Sequence, residues 1–187
     1  MHRLLALPLL AACGPEDVAS DGIPDRHTDG PGGWSAQVSD GGHLRLAGPD
    51  GVDMALPGPA QPEVAFSPDG RRFAYTRGRG DTALVVLPVP PDGSERVVAD
   101  WGVSADLPSF SPDGHHLAFV SGRTGIASIW MVDLDLPNPG AAAVQITNVG
   151  LEKVHHEPGV APAGFVPPPM DTITWVATAD GWTVKAP

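Results

Sequence analysis

A five-residue segment, Phe-Ser-Pro-Asp-Gly, occurs twice in the chain, at 66–70 and at 110–114, so the two copies are 44 residues apart. The same offset preserves identity at nine of the eighteen positions from 66 to 83. Self-similarity with a period of roughly 40 to 45 residues is typical of architectures built from repeated supersecondary units. We therefore expect the chain to fold as a succession of similar units.

Each copy of the segment has the residue order of a tight hairpin turn. Proline presets φ, aspartate accepts the next conformation and caps nearby amides, and glycine supplies a left-handed residue. We expect a hairpin loop of three to four residues, of the type I plus bulge kind, in both copies. The predicted turn residues are Ser67, Pro68, Asp69 and Gly70 in the first copy, and Ser111, Pro112, Asp113 and Gly114 in the second.

Short apolar runs of strand length follow each turn. With the strand that leads into each turn, every copy holds four strands, which is the unit of a β-propeller blade. The 23 glycines and 22 prolines among 187 residues exclude a helical bundle, whereas an all-β chain with many turns tolerates them. We predict an all-β fold of four-stranded antiparallel blades, with strands at 73–76, 83–87 and 96–99 in the first copy and at 117–120, 128–132 and 144–147 in the second.

The repeats also resemble those of a known family. FSPDGRRFAYTR and FSPDGHHLAFVSGRTGIASIWMVDLD are similar to the WD-repeat-like β-propeller repeats of TolB-type periplasmic proteins, and the match is specific over 59–148. The resemblance implies a propeller domain at 34–187. Within it we predict a partial blade at 34–58, blades at 59–101 and 102–150, and a partial blade at 151–187.

The predicted strands amount to about three and a half blades, fewer than the six that the resemblance implies. Three alternatives follow: a small four-bladed ring, a propeller completed by self-association, or an incomplete remnant. An open stack of blades would leave the apolar faces of its two end blades unpaired, which invites a partner or aggregation.

The single cysteine, Cys13, follows a basic start and a short apolar run, which is the order of an export signal. Leu-Ala-Ala-Cys-Gly resembles the lipobox of bacterial lipoproteins, which implies cleavage before Cys13 and a diacylglycerol on its sulfur. The alternative is a buried cysteine in an N-terminal strand. We predict a signal peptide at 1–12, a lipidated cysteine with a flexible tether at 13–33, and a location at the bacterial cell envelope, on the outer membrane or its periplasmic face.

Charge and missing motifs limit the function classes. The formal net charge is −11 and there is no cluster of lysine or arginine, so a nucleic-acid partner is not expected. The sequence contains no Gly-x-Ser-x-Gly, no His-Glu-x-x-His and no glycine-rich phosphate loop. We therefore expect no enzymatic activity and no cofactor.

Histidine pairs are the only clusters with metal-ligand chemistry. Neighbouring histidines on a strand point to opposite faces, so at most one of each pair can reach a shared ion. His115 and His116 take the hairpin positions of Arg71 and Arg72 in the other copy, and we expect them to be solvated. No metal site is predicted: the weak candidates are His155, His156 and Glu157, and Asp133 and Asp135 lack the further oxygen donors of a calcium loop.

Candidate partner contacts come from the loops between blade strands. Arg79 and Arg123 fall at equivalent points between the second and third strands, and Trp101 and Trp130 are candidate contact aromatics. The alternative is that the arginines stabilise the blades by hydrogen bonds and that Trp130 is core. The favoured function is a non-catalytic, lipid-anchored module that binds envelope proteins or peptides. The alternatives are a propeller that binds a small molecule or a metal, or the remnant of a peptidase-associated propeller.

Overall fold

A computed structural model of the chain describes residues 26–78, 82–99, 105–124, 127–147 and 173–185. The described residues form antiparallel β-strands joined by turns, three of them 3-10 turns, and no described residue is α-helical. No helix in this part of the chain is long and apolar enough to cross a membrane. The predicted all-β fold class is confirmed.

The first blade is complete and begins earlier than predicted. Its four antiparallel strands are β1 (Arg26–Asp29), β2 (Ser35–Val38), β3 (His43–Ala47) and the first part of β4 (Asp53–Phe66). The predictions of a tether up to residue 33 and of a partial blade at 34–58 are therefore wrong for residues 26–33.

Backbone pairing explains why composition wrongly indicated a flexible tether for these residues. β1 is held by a full register against β2, from the pair of Arg26 with Val38 to the pair of Asp29 with Ser35. The backbone N–H of Gly30 donates to the carbonyl of Trp34 at 2.8 Å, which closes a Gly-Pro-Gly-Gly turn. This strand therefore needs little apolar burial of its own, and the disorder inferred from its polar sequence does not follow.

The second and third blades follow the repeat. β4 runs on from the first blade into the second, where it pairs with β5. Each sheet is a meander in which consecutive strands are neighbours. The remaining strands are β5 (Arg72–Arg77), β6 (Ala83–Pro88), β7 (Arg96–Ala99), β8 (Ala105–Phe110), β9 (His116–Ser121), β10 (Ser128–Asp133) and β11 (Val144–Gln145), followed by the separate hairpin of β12 (Thr174–Thr178) and β13 (Gly181–Lys185).

The last strand of the third blade is shorter than the predicted 144–147. Only Val144 and Gln145 pair with β10 as a strand. Beyond them, the hydroxyl Oγ1 of Thr147 accepts the backbone N–H of Ile129 at 2.9 Å. A side chain thus takes over the role of a backbone acceptor, and the ladder ends.

Both Ser-Pro-Asp-Gly turns are built around a buried serine hydroxyl. Ser67 Oγ donates to Asp69 Oδ1 at 2.6 Å and accepts the backbone N–H of Arg72 at 2.9 Å. Ser111 makes the same two contacts, with Asp113 and His116, at the same two distances. The backbone pair closing each turn encloses four residues, so the predicted hairpins are confirmed.

Apolar side chains pack between successive sheets. In β5, Phe73 and Tyr75 face the first blade, and Ala74 between them faces the third, because side chains alternate along a strand. One buried cluster joins blades 1 and 2, another joins blades 2 and 3, and a smaller one joins blade 3 to the β12–β13 hairpin. This face-to-face packing of four-stranded meanders is the arrangement of blades in a β-propeller.

The outward face of the first blade is polar, contrary to the expectation for an open stack. Gln37, His43 and Arg45 are exposed there, and Arg45 forms an ion pair with Asp53. Among the described residues, no apolar cluster joins this blade to the β12–β13 hairpin. Repeat proteins need such polar outer faces on their terminal units for solubility.

Candidate functional site

The innermost strands of the blades converge on one cavity. β4 lies beside both β1 and β8, and these three strands, with Ile173 before β12, line an open cavity of about 320 Å³. We call this cavity the central channel. Its lining residues are Arg26, His27, Thr28, Pro62, Glu63, Val64, Leu107, Pro108, Ser109 and Ile173.

Both β4 and β8 are irregular where they line the channel. The register of β4 against β5 shifts between Ala60 and Val64, and that of β8 against β9 shifts between Asp106 and Ser109. Proline lacks a backbone N–H for the ladder and is found in strands at such bulges, and each irregular stretch contains one, Pro62 or Pro108. Bulges of this kind redirect side chains and interrupt pairing beside binding sites.

Leu107 adopts the left-handed conformation with φ of 54°, which is rare for a leucine. Asp106 supports this conformation, because its Oδ1 accepts the backbone N–H of Leu107 at 3.0 Å. Burial raises the pKa of Asp106, and this hydrogen bond opposes part of the rise. The strained residue is thus held in place at the channel wall, and such strain clusters at functional positions.

The channel offers mixed chemistry. Arg26 and Glu63 contribute opposite charges, while Val64, Leu107 and Ile173 are apolar. Ser109 Oγ accepts the indole N–H of Trp175 at 3.1 Å, and among the described residues it has no histidine or carboxylate partner to activate it. The arrangement is suited to binding a ligand that has both polar and apolar groups.

An ionic cluster joins the hairpins of blades 2 and 3. Arg72 donates to the carbonyl of Gly114 at 2.9 Å and to Asp135 Oδ1 at 3.2 Å. His115 Nδ1 lies 2.5 Å from the other carboxylate oxygen, Oδ2 of Asp135. His115 is exposed, as predicted, but His116 is half-buried at the start of β9, so the expectation that both are solvated is wrong for His116.

Acid should weaken this cluster. The hydrogen bond from His115, followed by that from Arg72, lowers the pKa of Asp135 below its ordinary value. A lowered pKa in the folded state contributes stability that is present above the ordinary value of about 3.9 and is lost as the pH falls through the folded pKa. We expect thermal unfolding of the wild type and of Asp135→Asn to differ at pH 6 and to converge as the pH falls through the lowered pKa of Asp135.

Asp180→Asn is the matched control for this prediction. Asp180 lies in the β12–β13 turn and has no ion pair among the described residues. Its melting temperature should follow the wild type at both pH values. An Asp135→Asn variant as stable as the wild type at pH 6 would contradict the role given to the cluster.

The predicted contact residues have different outcomes. Arg123 is exposed, and its guanidinium carbon lies 4.8 Å from the ring centroid of Trp130. Trp130 is only 8% exposed and belongs to the core between blades 2 and 3, so the alternative that it is a core residue is confirmed. Outside the described residues lie Cys13, Arg79, Trp101, His155, His156 and Glu157.

In the described ranges, no group of three or more His, Cys, Asp or Glu side chains could hold a metal ion.

The sequence analysis did not identify the residues that line the channel. A signal for the channel did exist: the offset of 44 places Glu63 and Leu107 at equivalent positions of the two inner strands. Their importance depends on the register shifts, which the sequence does not display.

Comparison with known proteins gives matches of fold type only. No family model and no curated protein matches the chain. TolB from Acinetobacter baumannii is 25% identical with a TM-score of 0.46, over 57% of this chain and 26% of that one. The tricorn protease is 14% identical with a TM-score of 0.49 (57% and 13% covered), and a prolyl endopeptidase is 17% identical with a TM-score of 0.44 (65% and 22% covered).

The chain thus spans about a quarter or less of the length of these three proteins, 26%, 13% and 22%. Its own meander order and the packing of sheet on sheet define it as a β-propeller type of fold.

Proposed function

We propose that the protein is a non-catalytic interaction module of the bacterial cell envelope that binds an extended segment of a protein or peptide in the central channel. The observation that supports this most is the convergence of three inner strands, two of them bulged, on one cavity of about 320 Å³. Ligand sites of this size are concave and combine apolar walls with a few placed polar groups.

The bulges make an extended peptide the best-fitting ligand. A bulge interrupts the ladder and leaves backbone groups of the extra residue unpaired within the sheet. Pro62 and Pro108 have no N–H and the N–H of Leu107 already donates to Asp106, so these residues offer their carbonyl groups to another chain. Extended peptides bind through such main-chain hydrogen bonds, with alternate side chains entering pockets. Arg26 and Glu63 add one charge of each sign, which can fix the direction of a bound segment.

A charge reversal in the channel tests this function. We expect affinity capture from an envelope extract of the native host to recover a specific partner with the wild type, and to lose it with Glu63→Arg. Asp180→Arg, which makes the same charge change at a residue that does not line the channel, should recover the partner unchanged. Capture of the same partner by Glu63→Arg, or of none by the wild type, would overturn the proposal.

The membrane attachment is a separate part of the proposal and rests on the Leu-Ala-Ala-Cys-Gly segment. Incorporation of a palmitate analogue in a bacterial host should label the wild type and leave Cys13→Ala unlabelled, because the thiol of Cys13 is the attachment point. Equal labelling of the two proteins would rule out lipidation at this cysteine, and would leave the channel hypothesis in place.

A further inference from the structure

A second cavity, of about 330 Å³, lies between blades 2 and 3. One wall is β7, through residues 97–99, and the other is formed by Ser121, Arg123 and Asn138 with residues 140–141 of blade 3. We call it the side groove. It shares no lining residue with the central channel.

Arg123 is held in position in the side groove, and its guanidinium has no hydrogen-bond partner among the described residues. Stacking on Trp130 fixes its guanidinium at 4.8 Å from the ring centroid, and its backbone N–H donates to Ser121 Oγ at 3.3 Å. No described residue accepts a hydrogen bond from its guanidinium, and it has no ion pair there. Four other arginines donate to carboxylate or carbonyl oxygens, namely Arg45, Arg72, Arg77 and Arg96.

The rest of the side groove fits an anion that carries a small apolar group. The exposed Asn138 makes no side-chain hydrogen bond with a described residue. Among the described residues that line the groove there is no carboxylate, although the whole chain carries a net charge of −11. On the β7 side, Ala99 is half-buried and, with Val98, belongs to the apolar packing between blades 2 and 3, so the groove has a small apolar wall.

We propose that the side groove binds the C-terminal carboxylate of a peptide chain. The planar guanidinium of Arg123 presents paired donors that match the two oxygens of a carboxylate, and stacking on an aromatic ring leaves that edge free. Asn138 supplies an amide for the terminal peptide group, and a small apolar side chain contacts Ala99. A phosphate is the poorer ligand, since Arg123 is the single cation among the described residues of the groove and phosphate sites gather several.

The proposal is independent of the channel function and is tested with a defined probe. We expect the peptide acetyl-Gly-Val-Ala, as the free acid, to shift the backbone amide resonances of Ser121, Arg123 and Asn138 of the full-length chain in a saturable manner, with a dissociation constant of about 1 mM. The C-terminally amidated peptide should bind at least about tenfold more weakly, because it lacks the charge that Arg123 recognises.

Two variants separate binding from stability. Arg123→Gln should weaken binding of the free acid by about tenfold, and Asn138→Ala, which leaves the stack on Trp130 intact, should weaken it by a smaller factor. Arg71→Gln, at the tip of an exposed hairpin and away from both cavities, is the matched control and should bind as the wild type does. Equal affinity for acid and amide, or shifts that do not saturate, would overturn the proposal.

Discussion

Replacing Phe119 by alanine will lower the free energy of unfolding by about 3–5 kcal/mol, which is the usual cost of removing a buried phenylalanine. Phe119 lies in β9, has no exposed surface, and belongs to the cluster that joins blades 2 and 3. Since each blade contacts only its neighbours, a cavity there weakens one whole interface. Urea unfolding followed by tryptophan fluorescence measures the effect.

The matched control is Val176→Ala, which removes apolar atoms from a side chain that is 39% exposed. Its stability should remain within about 0.5 kcal/mol of the wild type. If Phe119→Ala does not fold at all, Phe119→Leu keeps most of the volume and should cost less than the alanine variant. A Phe119→Ala variant as stable as the wild type would contradict the packing of blade 2 on blade 3.

The strands and turns of the repeat could be predicted because local signals and packing agree there. The run predicted at 96–99 is the observed strand β7 (Arg96–Ala99), and the buried hydroxyls of Ser67 and Ser111 explain why the same four-residue turn occurs twice. Apolar residues alternate in strands that pack on both faces, as Phe73 and Ala74 do. Sequence pattern and tertiary contacts therefore point to the same elements.

The first strand escaped prediction because its stability comes from a partner strand. Residues Arg26–Asp29 have no apolar periodicity, and composition alone indicated a tether. Gly30, directly after this strand, also has a structural role that composition does not reveal. A Cβ at that position would lie 2.6 Å from the ring of Phe66, so the close approach of blades 1 and 2 requires glycine there. The turn from Gly30 to Trp34 joins β1 to β2 as a Ser-Pro-Asp-Gly turn joins β4 to β5, but it encloses three residues where the latter encloses four.

The two cavities could be predicted only in part. Arg123 was a candidate from its equivalence with Arg79, but its stack on Trp130 depends on how the β9–β10 loop folds back on its own blade. The channel depends on two register shifts, and register is set by tertiary pairing more than by composition. Sites formed between units of a repeat can therefore be located only with the structure, even where the units themselves can be predicted from the sequence.

Replacing Gly140 by alanine will destabilise the protein by about 1–3 kcal/mol or more, because the added methyl group has no room. An ideal Cβ on Gly140 would lie 2.2 Å from the carbonyl oxygen of Val98 in β7, and a backbone atom cannot move aside as a flexible side chain can. The clash would push the 3-10 turn Pro139–Ala142 away from β7 and separate blade 3 from blade 2 at this edge.

Thermal and urea unfolding of Gly140→Ala measure this loss, with Ala141→Ser as the control at the neighbouring exposed position. The control should unfold as the wild type does, since its side chain faces solvent. Because the turn also lines the side groove, Gly140→Ala should weaken binding of the free-acid peptide as well, whereas Phe119→Ala, while still folded, should affect stability more than binding. Wild-type stability in Gly140→Ala would show that the turn does not approach Val98 this closely.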